Sequence, residues 1–364
     1  MGIVITQWDA VSPFGTGRDA FTEGLWSGAS PTAALDPEQW PAPPDPHACL
    51  VPDFSPRQAL GKGTRVMDRV TALAAVAVGR LLEGTDEPAP DAPEQTGLVL
   101  GTTTGSVQSM TDFTRESLQG ARPFYVDPAR MPNTVMNCAA GQCAIRYRLR
   151  GPNATVAGGR AAGLLALSYQ RRLMGCGRAR KVVCGAAEEF SVTRSWLEHH
   201  ARPVGAGPVL LGEGCAVLLS EDAPSGPALA ELLAVRSQVY HGEDPADALR
   251  QVTLRTLVSA GVGADEVWAV SPSCPPGPAG ETERAVLADL FGPGALQRLP
   301  QLPFGDTGAA SAAFQLVSVL SALDRVPEAA GRPAVVSSVD RDGTVACAVL
   351  RLGERHSAAR PPRG

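Results

Sequence analysis

One pattern occurs twice along this chain: a strand-like segment, a breaker-rich turn, a helix of mostly small residues, then an apolar strand. In the first copy, residues 153–159 are strand-like, 160–174 are rich in Ala, Leu and Gly, and 181–185 form an apolar strand. In the second, residues 299–304 read as a strand that runs into Gly305-Asp306-Thr307-Gly308. Small residues again dominate 309–323, and 334–338 is the strand that follows. Helices opening on Gly and Ala let neighbouring backbones approach closely, so both are predicted to pack in the middle of the molecule. Two such units make this an internally duplicated α/β chain. The break between them is expected at the polar stretch Glu221-Asp222-Ala223-Pro224-Ser225-Gly226. That gives halves 1–222 and 223–353, with a flexible tail at 354–364.

The rest of the chain fits around these units. Residues 2–6 read as a short buried strand, followed by the turn-rich Ser12-Pro13-Phe14-Gly15-Thr16-Gly17 and a helix near 19–27. Between 30 and 57, Pro31, Pro37, Pro41, Pro43, Pro44, Pro46, Pro52 and Pro56 force an extended surface loop. Residues 68–82 have helical apolar spacing, and 88–93 is a second linker. The continuous apolar run at 97–101 predicts a strand buried on both faces, leading into a helix that ends near 118.

At 364 residues and 44% apolar, the chain can bury one large core or two fused smaller ones. A net charge of −5 without a basic stripe argues against nucleic acid as a partner. No uncharged apolar run reaches the roughly 18 residues a membrane span needs, and no basic-then-apolar leader precedes Ile3. A cytoplasmic protein is expected. None of the 8 cysteines forms a CxxC pair or stands at zinc spacing from a histidine pair, so no structural metal is expected. Any mechanism needing a histidine base must draw on His47, His199, His200, His241 or His356.

Several segments carry a resemblance. Residues 3–15, "IVITQWDAVSPFG", resemble the opening strand and turn of β-ketoacyl synthases, and Met67-Asp68-Arg69 the start of their next helix. "GQCAIRYRLRGPNATVAGGRAAGLLAL" and "VVCGAAEE" resemble the region around their nucleophile. Leu211-Gly212-Glu213-Gly214-Cys215-Ala216 is similar to their G-E-G turn, and residues 283–291 to the helix after their first catalytic histidine. The resemblance runs from about residue 2 to about 352. It implies the thiolase fold, two fused halves in five α/β/α/β/α layers.

It also implies a cysteine on a tight elbow at the start of a buried helix, where backbone N–H groups lower its pKa and form an oxyanion hole. Two histidines and a lysine complete such a site. Here the elbow position holds Arg160. No histidine lies in Ser271-Pro272-Ser273-Cys274-Pro275, Asp306 stands at the second histidine position, and the lysine aligns near Gln301. The glycine/phenylalanine gating loop is replaced by Val339-Asp340-Arg341-Asp342-Gly343-Thr344. Arg160, Asp306 and Gln301 therefore read as vestigial positions, with no catalytic residue retained. This profile resembles one subset of the family, the chain length factors of bacterial type II polyketide synthases. Their nucleophile is usually replaced by Gln rather than Arg. The resemblance implies a heterodimer with an active ketosynthase, an acyl carrier protein that acts through the complex, and no bound cofactor.

A buried Arg160 at a helix start needs a carboxylate, and Asp306 is the expected partner. Val107, Met110 and Phe113 lie at i, i+3, i+6 on one helix. In the resembled subunits that helix closes the partner's polyketide tunnel, whereas plain core packing predicts the same spacing. Glu213 reads as a structural turn residue, Cys138 and Cys143 as buried thiols, and His199-His200 as a surface feature. Two alternatives stay open. One is a thiolase-fold acyltransferase or decarboxylase with its chemistry moved to Cys138 or Cys274; the other is a homodimeric scaffold.

Overall fold

Both small-residue helices lie at the centre of the molecule. The computed structural model describes residues 2–83, 92–202, 207–222, 227–242 and 244–354. Its two central helices are Ala162–Gly175 and Ala310–Arg325, and they pack on one another. Every residue from Ala310 to Ala322 is buried. Where the helices meet, a Cβ on Gly163 would stand 2.8 Å from the Ala313 nitrogen, so only glycine permits the approach.

Nine strands line up along one mixed sheet. They are β1 (Ile3–Ser12), β2 (Thr96–Thr102), β3 (Asn153–Ala157), β4 (Lys181–Glu188), β5 (Gly214–Glu221), β6 (Ala230–Val239), β7 (Ala269–Ser271), β8 (Pro333–Asp340) and β9 (Thr344–Leu352). Their order is β7-β8-β9-β6-β1-β5-β4-β2-β3, and Gly15–Thr16 pairs with β1 alongside. β1 and β6 join the two halves antiparallel, with Ile3 opposite Leu232.

Period-two alternation explains why both faces are covered. Val99, Val182, Cys184, Ala216 and Leu218 point to the core shared with the central helices. Their neighbours Leu98, Leu100, Val183, Cys215 and Val217 point to a second core. There the helices Arg69–Glu83 and Cys138–Tyr147 cover the outer face. In the second half, Val345, Cys347 and Val349 face the outer helices Ala246–Ala260 and Pro278–Phe291. The layers are thus helix, sheet, helix, sheet, helix, as the resemblance implied.

Several boundaries differ from expectation. Residues 299–304 form no strand. Pro300 and Pro303 have no N–H to give to a ladder, so β7 is left as a three-residue sheet edge. β1 runs on to Ser12, well past residue 6. The proline-rich segment is mainly irregular, but Ala33–Ala34 and His47–Cys49 pair within it and Pro56–Leu60 is a short helix. Gly159–Ala161 is a 3₁₀ turn, and the central helix starts only after it. The expected tail, from residue 355 on, and most of the linker at 88–93 lie outside the described residues, as does His356.

Candidate functional site at the central elbow

β3 ends at Ala157; Gly158 follows, and the 3₁₀ turn Gly159–Ala161 then drops Arg160 into the interior between the two halves. Gly159 has φ +50°, and a Cβ there would collide with the Asp340 carboxyl. Arg160 is only 7% exposed. One guanidinium nitrogen, Nη1, is paired with Asp306 Oδ1. The other, Nη2, donates to the Ser273 carbonyl at 2.8 Å and to Ser311 Oγ at 3.2 Å. The Arg160 backbone N–H donates to Asp340 Oδ2 at 2.5 Å. The expected Arg160–Asp306 pair therefore forms, and a second carboxyl covers the elbow.

Each partner is held by its own framework. Asp306 follows Gly305, whose φ is +63°, and bridges to Leu211. Its carbonyl accepts from Gly212 N and from Arg194 Nη2, both at 2.9 Å. Arg194, itself buried, also donates to the carbonyls of Glu189 and Gly212. Burial opposes ionisation of Asp306, but the charges of Arg160 and Arg194 and the Gly308 N–H outweigh it and hold the carboxyl below its ordinary range. Ser273 is fixed by the buried Glu283, which accepts from Ser273 N at 3.0 Å, Cys274 N at 2.7 Å and Ser337 Oγ at 2.7 Å. Asp340 closes β8 just before the tight turn into β9, where Gly343 takes φ +92° and Asp342 N donates back to Asp340 Oδ1 at 2.8 Å.

The family described as "Beta-ketoacyl synthase, N-terminal domain" matches residues 2–223. The chain belongs to the β-ketoacyl synthase family. It is similar to a chain of a solved structure described as the ishigamide ketosynthase/chain length factor. That match has 48% identity and a TM-score of 0.94, over 97% of this chain and 100% of that one. It is 24% identical to 3-oxoacyl-(acyl-carrier-protein) synthase 2 of Rhizobium meliloti, over 90% of this chain and 83% of that enzyme. It is 27% identical to the tetracenomycin polyketide synthase ketoacyl synthase alpha subunit of Streptomyces glaucescens, over 66% of this chain and 63% of that subunit.

Within the family's frame, the elbow of this chain presents a fixed cation rather than a thiol. Asp306 and Ser273, the latter inside the segment where the resemblance places the first histidine, both bind Arg160. Gln301 does not join them; it is exposed and lines a neighbouring cavity. Val107, Met110 and Phe113 lie on the helix Val107–Gln119. Val107 is buried, Met110 is 42% exposed and Phe113 is half-buried, so they do not form one packed row.

The other candidates fall as follows. Cys138 is half-buried and its thiol donates to Asn133 Oδ1 at 3.5 Å; burial and the Asp68 charge raise its pKa. Cys143 is pushed up to about 12 by burial. Cys274 takes φ +44°, and burial and the Glu283 charge hold it as a thiol. Neither candidate nucleophile is poised as a thiolate. His199 and His200 are exposed beside Trp196, each ring 5.5 Å from the indole. Sequence reasoning left Ser311 and Arg194 without a role; Ser273, Glu283 and Asp340 stood inside the segments compared with the family's first-histidine loop, the helix after it and the gating loop, but none was singled out as a site group.

A buried carboxyl elsewhere in this half predicts a pH effect. Glu189 accepts from Val70 N at 3.0 Å and Ser106 Oγ at 2.8 Å. Burial, then the nearby Asp68 charge, push its pKa up to about 8. The folded protein therefore keeps a proton that the unfolded chain has released, and stability falls as pH rises from the ordinary carboxylate range towards about 8. Glu189→Gln is expected to flatten the part of that fall lying between about pH 6 and 8. Urea midpoints across this range check it; an unchanged slope would count against a protonated Glu189.

Proposed function

We propose that this chain is the non-condensing subunit of a ketosynthase heterodimer in type II polyketide assembly, a chain length factor that completes its partner. The observation that carries this reading is the elbow. A guanidinium is always protonated and cannot attack a thioester. The elbow N–H, a donor that an oxyanion would need, is already taken by Asp340. Ser273 and Asp306 are engaged with Arg160, and neither supplies an imidazole. The likeness to the ishigamide ketosynthase/chain length factor supports the same reading.

The surface supports a partner. β3 pairs on one side with β2, and no described strand pairs with its other edge. Met131, Val135, Met136 and Ile145, on and just before the helix Cys138–Tyr147 that packs against β3, are exposed, as are Phe124 and Tyr125. Several large apolar side chains exposed near one another suit an interface, and a free strand edge offers its ladder to a counterpart across a pseudo-twofold axis. In that complex Val107, Met110 and Phe113 would bound the far end of the partner's tunnel, and the acyl carrier protein would deliver its chain through the partner. Among the described residues no helix is long and apolar enough to cross a membrane, and the place of action is taken to be the cytoplasm.

Co-expression with an active ketosynthase of a type II system tests this. A one-to-one complex that makes polyketide from carrier-bound malonyl units is expected. Mutating the partner's nucleophile should abolish product, while Cys138→Ala and Cys274→Ala should leave the rate within about twofold. Loss of product in either cysteine variant, with the complex intact, would mean relocated chemistry instead. A chain that pairs only with itself would be a homodimeric scaffold.

A further inference from the structure

A cavity of about 290 Å³ lies in the second half of the molecule, between β7, the helix Pro278–Phe291 and residues 293–305. The sequence explains why it exists. Because Pro300 and Pro303 keep their segment from pairing with β7, the sheet edge and the segment stand apart, and the space between them stays open. Leu296, Leu302 and Phe304 give it an aliphatic and aromatic wall. Its inner end is closed by Ser273 and Ser311, the same residues that accept from Arg160, so the elbow cation stops the cavity from reaching the centre.

One charge faces this space. Arg284, exposed on the helix Pro278–Phe291, lines the cavity beside the Cys274 thiol, which it contacts, and it has no carboxylate partner among the described residues. Asp289, on the same helix, is taken by Arg250 at 2.8 Å. In the free chain water hydrates the Arg284 guanidinium; a ligand with an anionic head and a hydrocarbon body would exchange this hydration for an ion pair while filling the hollow between Leu296, Leu302 and Phe304. We propose that this cavity binds an aliphatic carboxylate, with its head on Arg284 and its chain along Leu296, Leu302 and Phe304. This site lies wholly within the chain and stands whether or not the chain pairs with a ketosynthase.

Calorimetric titration of the full chain, in the form in which it purifies, with butanoate, hexanoate and octanoate tests the proposal. Affinity should rise about fourfold per added methylene until the hollow is full, as burial of hydrocarbon requires. Arg284→Ala should weaken octanoate about tenfold and leave 1-octanol unaffected. Ala288→Trp, which fills the space from the helix side, should remove binding of both without changing the melting temperature. Octanoate binding no tighter than butanoate, equal binding in Arg284→Ala, or no binding to the unmodified chain would each overturn it.

Discussion

Replacing Asp306 with alanine is expected to destabilise the protein by about 3–5 kcal/mol, because it leaves the buried Arg160 charge without its counter-ion. Both side chains are well inside, 9% and 14% exposed, so water cannot take over. The Gly308 N–H, 2.8 Å from Asp306 Oδ1, loses its acceptor at the same time. Arg160→Met combined with Asp306→Ala should recover most of the loss, since an apolar replacement of a whole buried pair is often close to neutral. A double-mutant cycle on urea midpoints measures the coupling. A single-variant cost under about 1 kcal/mol would show that the pair is solvated after all. The sign with pH follows from the lowered carboxyl. Its contribution is fully present above the ordinary aspartate value of about 3.9 and is lost as pH falls through the lower folded value.

An effect of similar size is expected at Glu213. The residue is fully buried, and its carboxylate accepts from Arg69 Nε at 2.6 Å, Arg69 Nη2 at 2.5 Å, Val51 N at 2.9 Å and Phe190 N at 3.1 Å. Alanine would strand an arginine and two backbone amides together, a cost of about 3–5 kcal/mol. Arg69 could not simply swing out, because its guanidinium is stacked over Trp40 and Phe54 at 5.4 and 5.2 Å. These contacts pin the proline-rich segment to the core through Val51, Trp40 and Phe54. Limited proteolysis should therefore cut residues 30–57 far faster in Glu213→Ala than in the parent chain. An unchanged cleavage rate together with an unchanged melting temperature would contradict this role.

What could be read from the sequence, and what could not, divides along physical lines. The central helices were legible because small residues over several turns have few uses other than close backbone packing. The both-faces-buried strand at Leu98–Leu100 was legible from an unbroken apolar run. The Arg160–Asp306 pair followed from charge logic, once the resemblance had placed both residues at the starts of adjacent helices. The apolar run at 299–304 misled because it has strand-like hydrophobicity, while Pro300 and Pro303 deny it a ladder. The cavity that results is a tertiary gap with no sequence signature. Asp340 lies 180 residues from the amide it caps, a distance over which local pattern says nothing.

The position of Arg160 has a consequence for the history of the duplication. It belongs to the first copy, yet Asp306, Ser273, Ser311 and Asp340 all belong to the second. Separated, the first copy would bury a cation that nothing neutralises, and the second would keep carboxyls arranged around an empty centre. Neither is electrically complete alone, so the two repeats are expected to unfold together, in one calorimetric transition. Arg160 is the rivet between them.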